Sequence, residues 1–328
     1  VIILATTFHL PAMLRGHSAK IPRARSLAVF TLALGIYGAA FTLGQFWSTV
    51  KVRSPNLSRS AVSVETPTST SESTDQVESL LPGERYIASN RFAVREGADA
   101  AFEQRWAQRK SSLLTLPGFR WFSLMRRVPD DSVNFGDDYS YISFTIWETK
   151  KDFNFWRKGP AFKEAHGGGG ILDFLGMIMS SFMTSKGPPK PFFWEGVLPM
   201  TSSASKERLL SGPGGRPEAD GQKVLDPEVF VQTIRFKVAD GREQDFEKYW
   251  SEHGEALKAE SGFRFSQLLR RDQVPDDDCN YLGVTVWDDQ AALEKASVDT
   301  SSAGDLLTQP AMKVLYEGKL VLESESGP

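Results

Sequence analysis

The run from Trp147 to Gly170, WETKKDFNFWRKGPAFKEAHGGGG, ends in a histidine followed by four glycines. An imidazole at the end of a short apolar helix can ligate a metal or move a proton. The same placement suits a solvated histidine that caps the helix. Gly167 to Gly170 allow close backbone approach to a ligand, or form a plain loop. The chain has 4 histidines, His9, His17, His166 and His253, and only the last two fall in the part expected to fold. His253, in YWSEHG, belongs to the surface of a long helix. A His-ligated group therefore has one good candidate, His166. The single cysteine, Cys279, excludes an intrachain disulfide framework and a multi-cysteine zinc or iron–sulfur site. Two further residues have alternatives of their own. Trp156 is either ordinary core or the wall of a ligand site, and Asn90, in ASNRF, is either a polar strand-end residue or a hydrogen-bonding group aimed at a ligand.

The elements that would position these residues are written twice. Gly118-Phe119-Arg120 recurs as Gly262-Phe263-Arg264, and Arg126-Arg127 as Arg270-Arg271. Pro129-Asp130-Asp131 recurs as Pro275-Asp276-Asp277, Trp147-Glu148 as Trp287-Asp288, and Trp194-Glu195-Gly196 as Tyr316-Glu317-Gly318. In the first copy, alternation predicts strands over 86–94, 119–127, 139–147 and 191–198. Helical spacing predicts helices over 98–113 and 148–158. The second copy predicts strands over 229–238, 263–271, 280–287 and 312–322, with helices near 242–259 and 289–297. Each copy therefore reads β-α-β-β-α-β, an α+β ferredoxin-like arrangement. Such a sheet leaves a face and an edge exposed, and a second copy can cover them as in a symmetric dimer.

The motif resembles that of the Isd-type heme-degrading monooxygenases, within the antibiotic biosynthesis monooxygenase (dimeric α/β-barrel) superfamily. The residues that carry the resemblance are Trp147, Trp156, Phe162-Lys163, Ala165 and His166, with Asn90-Arg91 in the first strand. Phe153 stands one place out of the family's strict register. The resemblance spans 85–198 and implies two tandem ferredoxin-like domains closed into one intramolecular barrel. It implies that His166 is the axial iron ligand and that Asn90 bonds toward the side where O2 reacts. Trp156 would press on the porphyrin, with Phe162, Arg157 and Gly167 also against it. The implied reaction opens the ring with O2 and an external reductant (a reductase or a small molecule) and releases iron. Heme is then both substrate and cofactor. Three other readings fit the residues: a heme-binding or buffering module, a cofactor-free monooxygenase of an aromatic or quinone-like substrate with His166 as acid/base, and a non-catalytic barrel scaffold.

The second copy departs from the motif. Counting from Gly241 puts Ile234 at Asn90, and counting from Trp287 puts Ala296 at Trp156 and Leu306 at His166. It is expected to complete the barrel without heme chemistry. Copy one also carries an apolar, Met-rich insertion, Ile171–Lys186, which is either a ligand cover or a core helix. Arg126-Arg127 repeats in the second copy, which favours a structural role.

The chain has 328 residues, enough for about two domains, with 38 Lys and Arg against 41 Asp and Glu. That near-neutral balance argues against a nucleic-acid partner, but it hides an asymmetry. Residues 1–64 hold 7 cations and no acid; 65–328 hold 31 cations and 41 acids, a balance of −10. The uncharged run 27–47 is of membrane-spanning length and follows basic residues. It predicts a targeting or membrane-anchor segment over 1–53, directed to a plastid or mitochondrion or, alternatively, to the secretory pathway. A hydrophobic helix there is followed by a Ser/Thr/Pro-rich, disordered linker, 54–84. The folded domains are expected over 85–200 and 227–324, joined by a second linker, 201–226.

Overall fold

The segment RYIASNRF puts Ile87, Ser89 and Arg91 on one face of a strand and Tyr86, Ala88 and Asn90 on the other. The computed structural model follows that division. It describes residues 80–109, 111–165, 183–202, 219–272, 279–296 and 300–328. His166, Gly167, most of the insertion, most of both linkers and the apolar run 27–47 lie outside the described residues. All described residues belong to one unit, Thr74–Pro328. Among them, no helix is long and apolar enough to cross a membrane.

Copy one contributes β1 (Arg85–Phe92), α1 (Asp99–Gln108), β2 (Phe119–Arg127), β3 (Tyr141–Trp147), α2 (Lys150–Lys158), α3 (Pro160–Ala165) and β4 (Lys190–Thr201). Copy two contributes β5 (Val229–Phe236), α4 (Glu243–Leu257), β6 (Phe263–Arg271), β7 (Tyr281–Trp287), α5 (Gln290–Lys295) and β8 (Met312–Glu323). The strands close into one antiparallel barrel in the order β1-β3-β2-β8-β5-β7-β6-β4. Inward side chains from both copies, among them Ile87, Trp121, Phe144, Trp194, Val231 and Tyr316, fill its interior as one core. Side chains thus occupy the interior of this eight-stranded barrel, which leaves its outer face for a ligand. Two further cores lie there, one per copy.

The copies meet through their closing strands, which are longer than 191–198 and 312–322 would suggest. The first half of β8, up to Gly318, pairs with β5 of its own copy. Its last residues pair with β2 alone, with Leu320 opposite Leu124 and Leu322 opposite Phe122. The end of β4 likewise pairs only with β6. Neither copy is therefore a closed unit by itself.

The repeated glycine has a physical reason. Gly118 has φ +71°, a conformation that costs an L-residue about 1–2 kcal/mol. A Cβ at that position would also overlap the Asp152 side chain of α2. Its counterpart Gly262 has φ +81° and is equally close to Ala292 of α5.

Candidate active site

α2 starts at Thr149, whose Oγ1 accepts from the Asp152 N–H at 3.2 Å, an N-cap that satisfies one free donor. It ends at Gly159, held extended because Pro160 follows. That proline then opens α3 as its first residue. The break brings Trp156, near the end of α2, and Ala161, at the start of α3, to the same hollow on the outer face of copy one. Trp156 lies tilted against Trp147 of β3 with ring centroids 5.4 Å apart, and Phe162 meets it edge-on at 4.9 Å.

The hollow spans about 680 Å³, a figure that includes the open solvent at its mouth. One wall is polar and comes from β1 and β3: Asn90, Ser143 and Thr145. Asn90 Nδ2 donates to Ser143 Oγ at 3.4 Å. Beside it on the same sheet surface the lining is apolar and comes from β2 and β8: Phe122, Leu320 and Leu322, with Phe122 paired between Thr145 and Leu322. Trp106 of α1 and Trp156 supply aromatic surface, and Arg109, Ser111 and Ser112 add a cation and two hydroxyls.

α1 is held against the sheet by a buried carboxylate. Glu103 is fully buried and accepts from Tyr141 OH at 2.7 Å and from the Leu225 N–H. Burial raises its pKa despite those bonds. The sequence predicted this helix to Leu113, but it stops at Gln108, and Arg109 is extended with ψ 126°. The cause is local: Ser111 Oγ accepts from the Leu113 N–H at 3.4 Å, and Thr115 Oγ1 donates to Ser112 O at 2.8 Å. Such bonds compete with helix. The early stop leaves Ser111, Ser112 and Leu113 as part of the hollow's lining.

Copy two fills the equivalent volume. α4 runs on to Leu257. Asn90 and Ser143 are replaced by Ile234 and Gly283, which face β5 to β7 in the matching register. A Cβ on Gly283 would overlap the ring of Trp250, the counterpart of Trp106, and Trp250 is 2% exposed. Met200 from β4 lies equally close to Gly254. Ala296 occupies the position of Trp156 and is buried in the same core as Ile234 and Trp250.

One expected equivalence is corrected. The count from Trp287 pairs Leu306 with His166. Ala239 N–H donates to Leu306 O, and Arg95 N–H to Thr184 O, both at 2.9 Å, so Leu306 is the counterpart of Thr184. The count fails because Trp147 and Trp194 are 47 positions apart whereas Trp287 and Tyr316 are 29 apart, and the extra length of copy one lies between.

The structure thus brings Asn90 and Trp156 to one pocket. Phe162 backs Trp156 rather than lining the hollow. Arg157 is exposed at the end of α2, with Nη2 donating to Asn154 Oδ1 at 3.3 Å. His166 and Gly167 lie outside the described residues; His166 follows α3 directly in the chain. Sequence reasoning missed Trp106, Arg109, Ser143, Thr145, Leu320 and Leu322. A signal for Ser143 existed: it changes to Gly283 in the copy where Asn90 changes to Ile234.

Comparison with known proteins fits this geometry. The antibiotic biosynthesis monooxygenase family matches residues 85–168 and again 229–298. A heme oxygenase (staphylobilin-producing) of Staphylococcus haemolyticus is 31% identical over 81 residues, 25% of this chain and 72% of that protein. A protein of the same description from Staphylococcus saprophyticus is 32% identical over 83 residues, 25% of this chain and 74% of its own length. Among solved structures, a candidate monooxygenase of Fusobacterium nucleatum aligns with TM-score 0.51 at 8% identity, covering 75% of this chain and 97% of that one. At that identity the last likeness concerns the fold alone.

Proposed function

Because the chain belongs to the antibiotic biosynthesis monooxygenase family, we propose that it is a heme-degrading monooxygenase with one working copy and one filled copy. A single observation carries this reading. Asn90 and Trp156 line one pocket, and α3, which adds Ala161 to that lining, leads directly into His166.

The residues present fit heme. A large planar ring needs apolar and aromatic surface, which Trp106, Trp156, Phe122 and Leu320 offer. Its carboxylate tails need cations and hydroxyls, which Arg109, Ser111 and Ser112 offer at the pocket and Arg157 offers nearby. His166 would hold the iron, and Gly167 would let the backbone come close. When bound, heme supplies both the iron that activates O2 and the ring that is opened, with electrons from an external donor and release of iron.

The chain's own groups then have distinct tasks. Asn90, bonded to Ser143, presents a carboxamide dipole from the sheet wall. Trp156, tilted against Trp147 and backed by Phe162, would present a packed aromatic surface to the bound ring. The apolar wall excludes water, which strengthens every polar contact inside.

An anaerobic hemin titration of the full chain tests the proposal. A 1:1 complex with a Soret band that disappears in His166→Ala supports it. No Soret complex, or one unchanged in that variant, contradicts it. A complex that persists unopened under reductant and air would make the protein a heme-binding module instead.

A further inference from the structure

We propose that the second copy takes part in the first copy's reaction, with Leu320 and Leu322 of β8 as the residues that fix how the ring lies and hence which edge is opened. This inference rests on the heme reading above and concerns the same pocket.

The argument begins with strand length. β8 continues five residues beyond its last pairing with β5, at Gly318, to reach Glu323 on β2. Within that extension, Leu320 and Leu322 point to the same face, two residues apart. That face is the outer core of copy one, where Leu320 is buried with Phe122 and Leu322 packs beside them. Both line the pocket. The apolar part of the lining is therefore built mainly by copy two, beside the polar part of Asn90, Ser143 and Thr145 from copy one on the same sheet surface.

The matching extension of β4 shows what this strand position controls. Met200 stands where Leu322 stands, and it fills copy two's equivalent volume by packing on Gly254 of α4. In copy one, α1 has already ended at Gln108, and the shorter, branched Leu322 leaves the hollow open. This position on the closing strand is thus one of those, with Trp250 and Ala296, that set how far the equivalent volume is filled.

A porphyrin presents four chemically similar edges, so binding alone does not select among them. Selection requires asymmetric walls. Polar groups on one side and two leucines on the other provide that asymmetry, with Arg109 and Ser111 as an anchor for the acid groups. Changing the leucine wall should shift or tilt the ring while the iron ligand stays in place.

The test uses the full chain as wild type, Leu322→Ala, Leu322→Met and Leu322→Trp. Hemin affinity is read from the Soret titration, product isomers from chromatography after turnover, and folding from circular dichroism. Filling the hollow with Trp should weaken hemin binding by about tenfold or more. Leu322→Ala and Leu322→Met should still form a hemin complex but give a changed isomer ratio. If Leu322→Trp does not fold, the Ala and Met variants decide by their isomer ratios. Native folding with wild-type affinity and wild-type isomer ratio in every folded variant overturns the inference and leaves the heme reading standing. Failure of the wild type itself to bind hemin removes the heme reading, a separate outcome.

Discussion

Asn90 was legible from sequence only through the resemblance, because a strand-end asparagine is ordinary on its own. The structure adds its partner, Ser143, and the joint loss of both in copy two ties the pair to the pocket rather than to the fold. Asn90→Ala should leave hemin affinity near wild type and lower the ring-opening rate by about a hundredfold or more, as loss of a preorganised dipole does. Single-turnover absorbance traces measure it. Glu323 makes a prediction of a different kind. Burial lifts its carboxyl above the ordinary value of 4.5, with Arg264 opposing the rise. The folded state then holds the proton more tightly than the unfolded one, so this group's contribution to stability falls as pH rises from 4.5 through its folded value. Glu323→Gln should raise the urea midpoint at pH 7, and the gain should shrink toward zero as pH approaches that ordinary value. A gain that grows on acidification would contradict the sign. No sequence pattern announced this group, since burial of one carboxyl at a strand end depends on distant packing.

At the scale of elements, the strands and helices were readable because period-2 and period-3.6 patterns are strong and occur twice. The end of α1 was not. Apolar spacing continued to Leu113, but Ser111 and Ser112 bind the backbone locally and stop the helix, and that stop makes room for the pocket. The reach of β4 and β8 was also hidden, since no local pattern reports which strand lies across a barrel joint. Gly118, by contrast, was visible as a repeated residue, and its φ of +71° and the closeness of Asp152 explain the repeat. Gly118→Ala should cost about 2 kcal/mol or more, combining left-handed strain with displacement of α2. Chemical denaturation reads this directly, and a neutral effect would contradict the structural account.

For the whole molecule, the sequence reading of two unequal copies translates into one barrel with one open and one filled outer layer. The filling could not be read from sequence, because it rests on Trp250 settling over Gly283 while the matching Trp106 borders a hollow. The two tryptophans therefore separate stability from binding. Trp250→Ala should cost about 3–5 kcal/mol, the range for deleting a fully buried large aromatic, with little change in hemin affinity for the folded fraction. Trp106→Ala should cost less stability and weaken hemin binding by about tenfold, ~1.4 kcal/mol. Equal effects of both substitutions on hemin binding would contradict the assignment of a single working copy. The division of labour follows from the joint as well: copy two closes the barrel, and its last strand supplies a wall that copy one lacks.

The central claim, that this pocket opens heme through a ligand at His166, is tested most directly by following the Soret band of the hemin-loaded full chain after adding reductant in air. The account predicts loss of the band with release of chelatable iron in the wild type, and neither in His166→Ala under the same conditions. A stable band in the wild type, or equal loss and equal iron release in both proteins, would contradict it.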